Sequence, residues 1–500
     1  FLGFALTCNM IVTGMLLLGG AAVVNGLTGM DISLAAMLIP VGVMIYTLVG
    51  GLKATFVADY MHTVIIFIVI LTFVSMVFFI SPITGGVEGM YNKLVEAASL
   101  NPVLEPTFTP GEPGNAMGAY LTMASAGGLI FGVINIVGNF GTVFVDQAYW
   151  QRAIAAQPSA TVKGFLLGGM CWFAIPFTLA TTMGLTAVAL DVALTPEQVQ
   201  LGLVVPAAAS VLMGEIGAIL VLVMLFMAVT SAGSAELIAV SSLITYDVYR
   251  TYKNPKATGK QLLKVSRGVI VAFGLGMGML AVVLLGMGLS LGFVYLAMGI
   301  LIGSAVIPIA LTITWSKTTR SGAVAGAIIG VMLSLLTWTS VAASEANGVI
   351  DIGSLGGAFP MLYGNVVAIL SSGAICIIIS LAQNKKYDWK ELDQHLSLVT
   401  DDMHVDTAAE LEKRELDEIQ LKKAFKFSLK GGGLLTLIVI IFWPMPLYFS
   451  GYVFDFGFYG LWVGIAITWV TVASAFIIGL PIIESRHGFA KVFSGKKASA

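Results

Sequence analysis

Long apolar stretches, separated by short polar ones, follow one another along nearly the whole chain. As helices, they are long enough to cross a hydrocarbon core of roughly 30 Å. Twelve such spans can be marked off, at residues 1–29, 33–50, 54–82, 119–144, 161–190, 205–247, 262–287, 289–316, 321–344, 363–383, 431–449 and 457–484. The pattern predicts an all-α membrane protein. The longest stretch predicts a short outer helix and a spanning helix, separated by a break near Pro206.

The positions of Lys and Arg test the number and direction of these spans. If residue 1 is cytoplasmic and the spans alternate, all of the 25 Lys and Arg residues except Lys93 face the cytoplasm. This distribution is the positive-inside bias of membrane proteins. We therefore expect a multi-pass protein of the plasma membrane, with residue 1 and the C-terminus in the cytoplasm.

Composition narrows the class of protein. Hydrophobic residues make up 58% of the chain and charged residues 10%, which makes the lipid bilayer its main surroundings. The sequence contains no phosphate-binding Gly–Lys loop, no His or Cys cluster with metal-ligand spacing and no Ser–His–Asp arrangement. We therefore expect no enzymatic activity, no cofactor and no nucleic-acid partner. A gradient of H⁺ or Na⁺ would drive transport of a small polar solute.

Two polar segments lie outside the spans. Residues 83–118 are rich in Gly, Pro, Asn and Glu, which predicts an irregular external loop. Residues 385–430 carry a strongly charged run at 409–430, where opposite charges four residues apart favour a solvated helix. This helix is either a regulatory or partner-docking element or a charged cytoplasmic connector. The second interpretation is the simpler one.

Asp59 and His62 are ionisable residues close to the cytoplasmic end of the third span. Such residues usually face a cavity or a partner inside a membrane protein. Helical spacing places Asp59, His62 and Thr63 on one face. Asp59 is therefore a candidate for receiving a cation that leaves an inward-open cavity, and His62 for relaying a proton. The alternative is a hydrated carboxylate at a helix end and a neutral, packed histidine.

Residues 226–247 form an apolar span with many hydroxyl groups and one acidic residue. Hydroxyls and carbonyls suit the reversible binding of Na⁺, although Ser and Ala also let helices approach closely. Glu236 lies well inside this span and needs a donor from another helix or a proton of its own. It is a second candidate for a proton relay.

Asn135 and Asn139 lie in the middle of the fourth span, and glycines flank Asn139. This pattern predicts a break in the helix, of the kind that exposes backbone groups to substrate in transporters. The alternative is a close helix contact lined by glycine. Asp146 and residues 147–152 follow directly after the span.

Several motifs resemble those of the sodium:solute symporter family, within it the urea active transporter subgroup of DUR-type urea–proton symporters. The family signatures are similar to residues 49–56 with Asp59, to 146–152 and to 246–249. The similarity to the subgroup lies in residues 13–25, 59–63, 146–155 and 228–242. The matches end near Tyr252, and beyond it the resemblance depends on the helix pattern.

This resemblance implies a fold of two inverted five-helix repeats (an amino-acid/polyamine/cation-like transporter) with peripheral helices. The expected divisions are the last three helices of the first repeat (1–82), the extracellular loop (83–118), the second repeat (119–316), peripheral helices (317–384), the cytoplasmic charged segment (385–430) and two C-terminal helices with a tail (431–500). It also implies that the chain is N-terminally truncated, and that the broken first helix of the fold precedes residue 1.

The resemblance further implies an ion site on the span that contains Glu236. Its carbonyl falls on Ala228 and its two hydroxyls on Ser231 and position 232, and Asp59 matches the acidic residue near the inner ion exit. Position 232 is Ala232, so one hydroxyl ligand is absent. This departure leaves room for proton coupling.

We expect the intact protein to take up urea, or a similar small polar solute, by symport with H⁺ or Na⁺ through alternating access. Asn135, Asn139 and Gln147 would donate and accept hydrogen bonds to the solute, and Trp150 would act as a gate. The alternatives are a sodium-coupled symporter for an amino acid or carboxylate, a transporter-like sensor and a passive channel.

Overall fold

The computed structural model describes residues 1–156, 158–388 and 418–493, and the side chains within them except at 52–54, 158–160, 418–421 and 484–493. Helices dominate this part of the chain. The first nine helices are α1 (Leu2–Thr28), α2 (Ile32–Ser75), α3 (Gly86–Leu100), α4 (Ala126–Val145), α5 (Gln147–Ala155), α6 (Pro158–Leu179), α7 (Leu185–Ala189), α8 (Pro196–Gln200) and α9 (Val204–Ser242). π-Helical turns extend α2 through Met76–Ile80 and α9 through Leu243–Lys253.

Nine further helices follow in the described residues. They are α10 (Gly259–Gly286), α11 (Leu291–Ile302), α12 (Val306–Thr314), α13 (Arg320–Glu345), α14 (Ile352–Leu355), α15 (Ala358–Gln383), α16 (Glu418–Thr436), α17 (Pro444–Ser450) and α18 (Phe456–Phe493). Within the described residues, 12 helical stretches are long and apolar enough to cross a membrane. This confirms the predicted number of spans.

Two glycines with positive φ interrupt long helices. Gly51 (φ 55°, ψ −162°) separates the two spans of α2, and Gly214 (φ 62°, ψ −139°) interrupts α9. An L side chain rarely adopts either conformation, so glycine allows both breaks. The predicted break near Pro206 is therefore wrong in position. Pro206 lies in the first turn of α9, where the missing N–H costs no helical hydrogen bond.

Two further predictions are corrected by the helix bounds. The segment 83–118 is not irregular throughout, because α3 occupies Gly86–Leu100 and buries Met90 and Leu94. The expected break beside Asn139 is absent from α4, which is continuous from Ala126 to Val145. Within the charged run at 409–430, residues 409–417 lie outside the described residues, and residues 418–430 belong to α16.

Two glycines of α4, Gly138 and Gly141, allow close contact with another helix. A Cβ atom on Gly141 would lie 2.9 Å from a side-chain carbon of Ile302, and one on Gly138 would lie 3.1 Å from the terminal carbon of Met298. Both partners belong to α11. These glycines therefore let α4 approach α11 without interrupting the helix.

Helix α1 lies at the centre of the helix packing and determines where the polar groups meet. It packs against α2, α9 and α10 on one side and against α4 and α11 on the other. Its small and aliphatic residues, among them Leu17 and Ala21, join a buried cluster with α2, α9 and α10. Ala5 and Cys8 join a second cluster with α11 and the end of α4. Polar side chains on α1 consequently face several helices at once.

Candidate functional site

Asn9 of α1 links the end of α4 to the C-terminal part of α9. Its Nδ2 donates to Oδ1 of Asp146 (2.8 Å) and to Oε2 of Glu236 (2.6 Å). Asp146 ends α4 and begins α5, where the same Oδ1 accepts the backbone N–H of Ala148 (2.7 Å) as a helix cap. We call Asn9, Asp146 and Glu236 the carboxyl cluster.

The carboxyl cluster is almost fully closed to solvent. The exposed fractions are 0% for Asn9, 1% for Asp146 and 3% for Glu236. Oδ1 of Asn9 is also buried and has no hydrogen-bond partner among the described residues. Neither carboxyl group has an ion pair within the described part of the chain. Two negative charges held this way would be very costly, so the arrangement favours at least one proton on the pair.

A second polar network joins α2, α5 and α9. Nη2 of Arg152 lies 2.6 Å from Oδ2 of Asp59, and the Ser231 hydroxyl donates to the other oxygen, Oδ1, at 2.5 Å. The guanidinium group also lies over the ring of Phe56, 5.8 Å from its centroid. The side chains of Arg152 and Asp59 are 28% and 23% exposed. We call Asp59, Arg152 and Ser231 the ion-pair network.

The ion-pair network includes one of the residues that the family resemblance assigned to sodium. The Ser231 hydroxyl points to Asp59, and its carbonyl accepts a hydrogen bond from Ser234 (2.9 Å). The nearby Thr230 carbonyl accepts the hydroxyl of Tyr46 (2.8 Å). Ala228, the predicted carbonyl ligand, is exposed on the same helix. The Ser231 oxygens and the Thr230 carbonyl therefore already have side-chain partners.

His62 lies one turn after Asp59 on α2. Its Nδ1 is buried and has no hydrogen-bond partner in the described residues. Both carboxylate oxygens of Asp59 are occupied by Arg152 and Ser231, and Thr63 donates to the Asp59 carbonyl (2.7 Å). The shared helix face therefore produces no hydrogen bond between His62 and the Asp59 carboxylate. A proton relay through His62 stays a prediction.

The predicted substrate residues fall into two groups. On α4, Nδ2 of Asn139 donates to Oδ1 of Asn135 (2.6 Å), which also accepts the hydroxyl of Tyr295 from α11. Asn139 is exposed, whereas Asn135 and Tyr295 are partly buried. This gives a neutral set of amide and hydroxyl groups, which we call the amide pair with Tyr295.

The other two predicted residues lie on α5, beyond the end of α4. Nε1 of Trp150 donates to the carbonyl of Phe144 (3.0 Å), which satisfies one of the free carbonyls at that helix end. Gln147 is partly buried in the first turn of α5. In the described part of the chain, no hydrogen bond joins either residue to the amide pair. Their substrate role stays a prediction.

Sequence reasoning missed three residues of these networks. Asn9 is an amide in an apolar span. Polar groups inside a membrane mark functional sites whether or not they are ionisable, so Asn9 itself was the available signal. Arg152 was noticed only as part of a motif, because its partner is 93 positions away. Tyr295 gave no local signal, since it meets Asn135 across 160 positions.

The fold is similar to that of a Na⁺-coupled sialic acid symporter in a substrate-bound outward-open state. The TM-score is 0.53 at 17% sequence identity, with 75% of this chain and 74% of that chain covered. The predicted class, an all-α transporter of two inverted five-helix repeats, is confirmed. The model of the sodium:solute symporter family matches residues 4–330. The chain belongs to this family of secondary active transporters.

Relatives narrow the comparison within the family. The chain is 49% identical to the urea-proton symporter DUR3 of Oryza sativa subsp. japonica, over 99% of this chain and 68% of the relative. It is 40% identical to the probable urea active transporter 1 of Schizosaccharomyces pombe, over 100% and 74%. It is 36% identical to the urea active transporter of Saccharomyces cerevisiae, over 99% and 75%.

Proposed function

We propose that this protein takes up urea across the plasma membrane by symport with a cation, through alternating access, and that the cation is H⁺ rather than Na⁺. The observation that carries the substrate is the 49% identity to a urea-proton symporter over almost the whole chain. Residue 1 and the C-terminus would face the cytoplasm, in keeping with the placement of Lys and Arg.

The amide pair with Tyr295 suits a neutral substrate. Urea carries one carbonyl acceptor and two NH₂ groups, so it needs both donors and acceptors and no counter-charge. Asn139 is exposed and offers its amide group to a substrate. Asn135 accepts a hydrogen bond from that amide, and Tyr295 donates a hydrogen bond to Asn135, so the two residues fix its orientation. Gln147 and Trp150 would contact the substrate from α5 when the helices rearrange.

The choice of ion depends on position 232 and on Ser231. Ala232 cannot supply a hydroxyl, and the Ser231 hydroxyl is hydrogen-bonded to Asp59. Na⁺ needs several oxygen ligands at once to replace its water. One of the two hydroxyl ligands is absent and the other is hydrogen-bonded to Asp59, so these residues would bind Na⁺ weakly. This favours H⁺ as the coupled ion.

The test is uptake of labelled urea into proteoliposomes that contain the full-length protein. We expect uphill accumulation under an inward proton gradient, and little stimulation by a sodium gradient at equal pH. Equilibration without accumulation would indicate a channel, and accumulation of proline or a carboxylate in place of urea would contradict the substrate. Ala232→Ser sharpens the ion assignment, since restoring the hydroxyl should introduce stimulation by Na⁺.

Tyr295→Phe tests the substrate site. It removes the hydroxyl that holds Asn135, so we expect the KM for urea to rise about fivefold, which corresponds to one lost hydrogen bond of about 1 kcal/mol. Tyr252→Phe is the matched control, because Tyr252 is exposed near the end of the π-helical extension of α9. An unchanged KM in Tyr295→Phe would remove this network from the substrate site.

A further inference from the structure

We infer that the carboxyl cluster is the binding site of the coupled proton, shared between Asp146 and Glu236 and held by Asn9. This inference rests on the proposed function, because it names the site at which the symported ion binds. The cluster joins α1, the junction of α4 with α5, and α9. It is a site that the family's sodium ligands do not include.

The first argument is charge balance. Both carboxyl groups are at least nine-tenths buried, and one amide nitrogen is hydrogen-bonded to both. Arg152, a cation near the cluster, is paired with Asp59 at 2.6 Å. With no cation of its own in the described part of the chain, the pair lowers its energy by binding a proton.

The second argument is the unpaired oxygen of Asn9. Oδ1 of this side chain is buried and lacks a partner, although its Nδ2 has two. A half-turn of the amide exchanges the two atoms, so the side chain can donate to a carboxylate or accept from a carboxylic acid. Asn9 therefore fits both states of the pair, because it can also accept the O–H of the acid, which a residue that only donates cannot do.

The surroundings contain few other titratable groups. Cys8 on α1 and Tyr149 on α5 lie near both carboxyl groups, and Arg152 lies beyond them with Asp59 as its partner. Cys8 and Tyr149 are neutral at neutral pH in their ordinary states. The pair itself is thus the group nearby that takes up a proton in this range.

The step requires no chemistry on urea. A proton from the outer solution binds a carboxylate oxygen of the pair and gives a carboxylic acid, and the same O–H bond breaks when the proton leaves to the cytoplasm. Because the pair joins α1 to α9, the change of its net charge by one unit on binding the proton alters the contact between these helices. The protonated pair would favour the rearrangement that carries urea inward.

The experiment compares Glu236→Gln and Asp146→Asn with the wild type in proteoliposomes at zero membrane potential. With an inward gradient of one pH unit, one proton per urea supports accumulation of about tenfold. We expect both variants to lose this accumulation, while exchange of labelled for unlabelled urea continues and no longer depends on pH. Glu215→Gln, an exposed carboxyl group on the same helix, is the matched control and should accumulate urea normally.

Infrared difference spectra of the purified protein give a readout independent of transport. We expect a protonated-carboxyl band that changes between acidic and alkaline pH and that is removed by Glu236→Gln or Asp146→Asn, but not by Glu215→Gln. Absence of urea uptake by the wild type would sink the proposed function and leave this band to decide the proton site. Wild-type symport together with full uphill accumulation in both variants would overturn the proton site alone.

Discussion

The carboxyl cluster and the ion-pair network contain similar chemical groups in opposite electrostatic arrangements. Asp59 is about one-quarter exposed and is balanced by the Arg152 guanidinium at 2.6 Å. Asp146 and Glu236 are nearly inaccessible, and a single amide is hydrogen-bonded to both of them. The two networks meet on α5 and α9, yet one is neutral as built, whereas we propose that the other reduces its negative charge by binding a proton.

This difference shows that an acidic residue inside a membrane is not by itself a sign of ion transport. Asp59 has Arg152 as its ion-pair partner, so its charge holds α2 to α5. Asp146 and Glu236 lack one among the described residues, so we propose that their charge state varies with pH. Changes of individual side chains should separate the two kinds of site.

The largest effect is expected from Asn9→Leu. The change keeps the size of the side chain but removes the donor shared by Asp146 and Glu236. We expect unfolding to become easier by about 3 kcal/mol, as for hydrogen bonds to charged groups. The loss should grow as pH rises, because ionised carboxyl groups need the amide more than protonated ones do.

Thermal melting of the purified protein in detergent, followed across pH, measures this change. Asn92→Leu is the control, since Asn92 is exposed on α3. Equal melting temperatures for Asn9→Leu and the wild type at alkaline pH would show that the carboxyl groups do not depend on this amide.

A smaller effect is expected from Arg152→Ala, which leaves Asp59 with Ser231 alone. For a pair that is about one-quarter exposed we expect a loss of about 2 kcal/mol, between the values of exposed and buried pairs. Because water reaches Asp59, the remaining carboxylate can be hydrated. The melting temperature and the rate of urea uptake should both fall, and Arg152→Lys should recover part of each.

A double-mutant cycle with Asp59→Asn checks whether the pair acts as a unit. We expect Asp59→Asn together with Arg152→Ala to be less harmful than the sum of the two single changes, because the second removes the charge that the first leaves unpaired. Strict additivity would contradict the ion pair as a structural element.

The smallest effect is expected from Ser231→Ala. Asp59 loses a neutral hydrogen bond but keeps Arg152, so stability should fall by less than about 1 kcal/mol. Urea accumulation driven by protons should continue, which the same uptake assay measures. A complete loss of coupling would return Ser231 to the ion site and contradict the assignment of the proton to the carboxyl cluster.

The sequence was strong where the signal is local and weak where it depends on partners. Apolar stretches and the positions of Lys and Arg predicted twelve spans, and the described residues contain twelve helical stretches long and apolar enough to cross a membrane. The glycines beside Asn139 predicted a broken helix, which was wrong, because the sequence does not show that Met298 and Ile302 of α11 fill the space beside them. Whether such a glycine breaks its helix or allows close packing depends on the neighbouring helix, which the sequence does not show.

By itself, the sequence determined that this protein is a helical membrane transporter of the sodium:solute symporter family, since spans and motifs are properties of contiguous residues. Only the tertiary structure decided which polar side chains are paired. Asn9 meets Asp146 across 137 positions and Glu236 across 227, and Arg152 meets Asp59 across 93. The charge state of a buried group depends on such partners. The sequence could name Glu236 as a candidate. Only the packing of α1 between α4 and α9 brings it together with Asp146 and with the amide of Asn9.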